Sequence, residues 1–120
     1  MNLKQIKDNI YYLSNPVNIG VIETEQGAIL IDSGLDESTA KKILTALKKV
    51  DLKPQAVINT HGHADHCGGN SYLQQVAKVK IYAPYLEAAI IENPVLEPLY
   101  LFSGAAPITD LKNKFLQASP

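Results

Sequence analysis

Arginine is missing from the 120-residue chain, and all eleven of its basic residues are Lys. Without a guanidinium there is no planar fork for bidentate reading of phosphate or guanine, so nucleic acid is not expected as a partner. Cysteine is nearly absent too: a single Cys excludes an internal disulfide and fits a reducing compartment. No apolar run approaches the ~20 residues of a membrane span, so no membrane partner is expected. Met1 to Asp8 lacks the apolar stretch of a signal peptide, which makes a cytoplasmic location the expectation. What is present, 46% hydrophobic and 19% charged residues with a net charge of −1, reads as one soluble globular domain. A chain of this length buries about two-thirds of its unfolded surface, enough for one core without staples.

Three short strands are expected between residues 10 and 31. Ile10 to Leu13 stops at the turn Ser14-Asn15-Pro16, Val17 to Glu25 is mixed apolar and β-branched, and Gln26-Gly27 suits a hairpin turn. Ala28 to Ile31 is a continuous apolar run, the pattern of a strand covered on both faces, and it ends at Asp32-Ser33-Gly34. Ala40, Ile43, Leu44, Leu47 and Val50 then fall on one helical face, with Asp36 or Ser38 as the cap. Lys41, Lys42, Lys48 and Lys49 form the opposite, solvated face. Ala56 to Ile58 reads as a second buried strand, Leu73 to Ala77 as a short helix, and Val79 to Ala83 as a further strand. Alternating strands and helices give an α/β fold with a mixed sheet and covering helices. Residues 84–120 hold five of the seven prolines and are expected to form short helices over 86–91, 95–102 and 108–116.

All three histidines fall in one six-residue window, His61-Gly62-His63-Ala64-Asp65-His66, where a buried strand gives way to a glycine-containing loop. In open α/β sheets ligands collect outside the carboxyl ends of strands. His61 and His63 leave the same side of an extended segment and can converge on one ion, while Asp65 and His66, after the turn, can reach a second. Imidazole with carboxylate suits zinc, and also iron or manganese. Gly62 and Ala64 leave room at the site, and Gly68 and Gly69 would let the backbone turn sharply behind it. The plainer alternative is a solvated, histidine-rich loop.

Thr60 to Gly69, with its H-x-H-x-D-H core, resembles the signature of the metallo-β-lactamase superfamily, and Ile29 to Gly34 resembles that family's earlier strand-ending motif. The resemblance spans about residues 10–83. It implies that His61 and His63 bind one metal ion and Asp65 and His66 a second, zinc in both positions. It makes Asp65 the catalytic residue that orients the metal-bound hydroxide or handles its proton. Asp32 is either a hydrogen-bonding support of the ligand loop or simply a turn and cap residue. Cys67 is expected as a small packed residue, with ligation the alternative. The six tyrosines are expected at the edge of the core rather than lining a pocket.

The family's complete domain is an αββα sandwich, and its second half supplies another His to each metal and a bridging Asp. After His66 this chain has no histidine, and its only carboxylates are Glu87, Glu92, Glu97 and Asp110. The expectation is therefore half of a metallo-β-lactamase-like sandwich, a single partial domain over residues 1–120. Its complete form would be a metal-dependent hydrolase of a small-molecule ester, thioester, lactone or related bond. The alternative is a non-catalytic half-domain that binds metal weakly and associates with its missing half or, as a homo-oligomer, with itself.

Overall fold

The computed structural model describes residues 1–120. Six strands form one sheet in sequence order: β1 (Leu3–Lys7), β2 (Ile10–Leu13), β3 (Ile19–Thr24), β4 (Gly27–Ile31), β5 (Pro54–Ile58) and β6 (Lys80–Tyr82). The first four pair antiparallel, with two-residue turns joining β1 to β2 and β3 to β4 and an irregular loop over 14–18 joining β2 to β3. β4, β5 and β6 pair in parallel, which requires crossover connections, and these are helical. Helix α1 (Glu37–Lys48) links β4 to β5, and α2 (Ala64–Cys67) with α3 (Asn70–Ala77) links β5 to β6. Helices α4 (Tyr85–Glu92) and α5 (Leu96–Leu101) follow, then a 3-10 turn at Thr109–Leu111.

The period of two along each strand decides where the core sits. Leu13, Ile19, Val21, Ala28, Leu30 and Val57 point to one face and are buried there against Ala40, Ile43, Ala46 and Leu47 of α1 and Leu73 of α3. Their register is direct: Val21 lies opposite Leu30, and Leu30 opposite Val57. The other face carries Ile10, Ile22, Ile29, Ile31, Ile58 and Tyr82, and it stays open, with Ile58 41% and Tyr82 53% exposed. The helices thus cover one face of the apolar run at 28–31, and its other face, equally apolar, is left open.

Three expectations about elements change. β1 was not expected, because its residues are almost all exposed and its Lys-rich sequence carries little apolar signal. The helix expected over 108–116 shrinks to one 3-10 turn, since the side chain of Asn113 bonds the Asp110 carbonyl (2.7 Å) and the Phe115 N–H (3.0 Å) in place of helical partners. Gly68 and Gly69 adopt ordinary helical backbone (φ −63 and −86) and make no sharp turn. Their need for glycine is steric: a Cβ at Gly68 would collide with the Leu35 carbonyl, and one at Gly69 with that of Ser33.

Candidate metal centre

Parallel pairing of β4 and β5 brings their carboxyl ends side by side, so Asp32 and the loop after Ile58 meet at one edge. The chain leaves β4 through two left-handed residues, Asp32 (φ 66) and Gly34 (φ 78), and the Asp32 N–H still donates to Ile58 O at 3.0 Å. Aspartate tolerates this conformation better than most side chains. It turns the carboxylate, only 4% exposed, into the loop that carries the histidines.

That carboxylate accepts three hydrogen bonds. The Thr60 N–H reaches Oδ1 at 2.8 Å, and the Thr60 hydroxyl and His66 Nδ1 both reach Oδ2 at 2.8 Å. An ionised carboxylate only accepts, so His66 carries its proton on Nδ1 and leaves the lone pair on Nε2. Thr60 has spent its single hydroxyl proton on Asp32, so its oxygen, 2.9 Å from His61 Nδ1, accepts from that ring. His61 therefore also presents a free Nε2. One buried aspartate sets the tautomer of two imidazoles.

The three rings lie close together. His61 and His66 have centroids 4.0 Å apart, and His61 and His63 4.6 Å. Burial holds the His61 pKa below its ordinary value, and the His66 and His63 rings push it the same way. His63 is exposed and Asp65 half-exposed, with Asp65 Oδ1 4.0 Å from His66 Nε2. No three His, Cys, Asp or Glu side chains converge on a single ion position. A cleft of about 870 Å³ opens beside His63 and Asp65, bordered by Lys42, Lys114, Leu101 and Phe115. None of the tyrosines borders it, whereas Lys42, read from the sequence as part of a solvated face, does.

Several supporting residues carry no signal in the motif. The His66 carbonyl accepts from the Ser33 N–H (2.8 Å) and from Asn59 Nδ2 (3.3 Å). Buried Asn70 ties the two together, donating to Asn59 Oδ1 at 2.6 Å and accepting from the Ser33 hydroxyl at 2.8 Å. Glu87 and Glu97 accept from the Gly62 and Ala64 N–H groups. Asn59 and Asn70 flank the histidine window and their burial could have been suspected there; nothing local marks the two glutamates. Cys67 is buried against Ala64 and Ala118, and burial, with the Glu97 charge next, pushes its thiol up to about 12. The thiol is packed, and it donates to the Gly62 carbonyl at 3.4 Å.

The chain is similar to known proteins. The sequence profile of the metallo-β-lactamase superfamily matches residues 14–117. A linear primary-alkylsulfatase of a Pseudomonas species is 37% identical over 102 residues, covering 76% of this chain and 15% of that protein. A hydroxyacylglutathione hydrolase of Nitrosomonas europaea is 38% identical over 69 residues, covering 58% of this chain and 25% of that protein. Among solved structures, a subclass B3 metallo-β-lactamase from a soil metagenome library superposes with a TM-score of 0.76 at 24% identity, covering all of this chain and 43% of its own length. The chain therefore spans less than half the length of these proteins. With its profile match running through both the Asp32 turn and the histidine loop, and its mixed sheet superposing in full on a solved relative, this chain belongs to the metallo-β-lactamase superfamily.

Proposed function

We propose that the chain is the metal-holding part of a zinc-dependent hydrolase acting on an ester, thioester, lactone or related bond. The observation that carries this is the Asp32 network, which fixes the Nδ1 protons of His61 and His66 and leaves both Nε2 atoms free. A neutral, oriented imidazole is what a metal requires of a histidine. The donor set fits: His61 with His63 would hold one ion and Asp65 with His66 a second, and imidazole with carboxylate suits zinc, or iron or manganese. When bound, the ion supplies Lewis acidity, polarising the scissile bond and acidifying water towards a pKa of ~7. Asp65, half-exposed beside the cleft, would orient the attacking water and take its proton on the carboxylate. Lys42, at the cleft border and outside the ion pairs of the structure, would attract the negative charge of a substrate or a cleaved acid, whereas Lys114 is paired with Asp36.

A catalytic zinc usually takes three protein ligands, and the window offers two for each ion. The remaining donors would come from sequence beyond this chain, as its share of the relatives' length suggests. The open sheet face favours a second reading, a half-domain that works only in association. Calorimetry with zinc tests the first reading. Binding should occur and should vanish when His61→Ala and His66→Ala are combined; binding unchanged by that pair would overturn it. A panel of esters, thioesters and lactones, with and without zinc, then assigns the bond class.

A further inference from the structure

The helices after β6 lie against the histidine loop, and each sends one carboxylate into it. Glu87, on α4, accepts from the Gly62 N–H at 2.7 Å. Glu97, in the first turn of α5, accepts from the Ala64 N–H at 2.9 Å. In extended backbone, alternate N–H groups point the same way, and His63 between them is extended (φ −67, ψ 143). The two glutamates therefore grip the backbone on both sides of His63, whose own side chain makes no hydrogen bond. His61 and His66 are held through their rings by Asp32 and Thr60; His63 has only its backbone held.

Further features show that this grip is built into the packing. Glu97 is only 5% exposed although it is acidic, and a buried carboxylate persists only where its oxygens find donors. A Cβ on Gly62 would meet Ile90 of α4 at 2.9 Å, so the helix sits directly on the loop. Ala118 clusters with Ala64 and Cys67, and Ile91 of α4 packs against them. Hydrogen bonds to a charged acceptor are roughly twice as strong as neutral ones, which suits them to pinning a short loop.

We propose that Glu87 and Glu97 are positioning residues that clamp the Gly62 and Ala64 amides and so aim His63 at the metal held by the loop. The Pro-rich segment after β6 is then part of the site, the carrier of its clamp. This proposal rests on the metal reading given above, and the experiment separates the two. Zinc affinity is measured by calorimetry for the wild-type chain, Glu87→Ala, Glu97→Ala and the corresponding Gln variants, with Gly62 and Ala64 amide exchange followed by NMR. Each Ala variant should bind zinc about tenfold more weakly, the scale of losses on removing supports behind metal ligands. The affected amide should exchange faster. Gln keeps an acceptor oxygen in place but makes only a neutral bond, so both properties should recover part of their wild-type value. Should Glu97→Ala unfold, the half-buried Glu87→Ala and the two Gln variants carry the test. Wild-type affinity in the Ala variants, or a Gln variant as weak as its Ala counterpart, overturns the clamp while the metal reading stands. A wild-type chain that binds no zinc overturns the metal reading instead; amide exchange then decides the clamp by itself, faster exchange upholding it and unchanged exchange sinking it.

Discussion

Asp32 spends two oxygens on three donors, and each donor belongs to the loop that carries the histidines. Asp32→Ala would leave the Thr60 N–H and His66 Nδ1 without their acceptor in a half-buried place, at a cost of about 1–3 kcal/mol. Denaturant unfolding should show that loss. The nitrogen-15 pattern of His66 should also move away from an Nδ1-protonated ring; an unchanged pattern would mean that Asp32 does not set the tautomer. Gly69 gives a second residue-level test. Its backbone is helical, so alanine brings no torsional penalty, yet the new methyl would strike the Ser33 carbonyl and press on Ala40 Cβ. Gly69→Ala is expected to cost about 1–3 kcal/mol through overpacking, read from the unfolding midpoint. Stability equal to wild type would show that the contact relaxes freely.

At the scale of elements, what could be read from the sequence follows the strength of the periodic signal. Ala40, Ile43 and Leu47 repeat on one helical face and give α1, while the apolar strands at 28–31 and 56–58 give β4 and β5. β1 carries no such signal, and Glu87 and Glu97 gain their roles only when α4 and α5 fold back on the loop. Sequence thus carries the place of the histidines at a strand end and, as one of two readings, Asp32 as a support of their loop, but not the bonds from Glu87 and Glu97. The cap of α1 is local enough for the sequence to narrow it to Asp36 or Ser38, and the structure makes it Asp36. Asp36 Oδ1 accepts from the Thr39 N–H at 2.9 Å, and Lys114, arriving from the far end of the chain, bonds Oδ2 at 2.7 Å. The Lys114 ammonium, followed by the Thr39 N–H, holds the Asp36 pKa down at about 2. A folded pKa below the unfolded value of ~3.9 contributes stability that is full above pH ~4 and is lost as pH falls towards 2. Asp36→Ala should therefore cost about 1 kcal/mol near neutrality. The gap between wild type and variant should close on acidification, as followed by urea unfolding across that range. A gap independent of pH would remove the cap from the acid sensitivity of the fold.

For the whole molecule the open sheet face dominates. Ile10, Ile22, Ile29, Ile31, Ile58 and Tyr82 leave a contiguous apolar surface in water, which is unusual for a stable monomer. Light scattering is expected to show concentration-dependent association, and Ile58→Lys, which leaves the buried face untouched, should weaken it without loss of fold. A strict monomer at high concentration would count against an unpartnered face. The number of candidate donors bears on catalysis. A hydrolytic metal must hold its water in one geometry, which takes enough protein ligands to leave a single open position. On the proposed reading His61 with His63, and Asp65 with His66, would give two donors each, and no three ligand-type side chains converge on one point. Glu87 and Glu97 each give one carboxylate oxygen to the loop, to the Gly62 and Ala64 N–H groups, and neither joins a three-ligand cluster. The 120-residue chain by itself is accordingly expected to lack EDTA-sensitive turnover of esters or thioesters. Supplying in trans the remaining stretch of a longer relative should raise zinc affinity and hydrolysis together, because both wait on the same missing donors. Zinc-dependent turnover by the purified monomer, abolished by Asp65→Ala, would make this short chain a complete enzyme and refute the view that its ligand set is only half assembled.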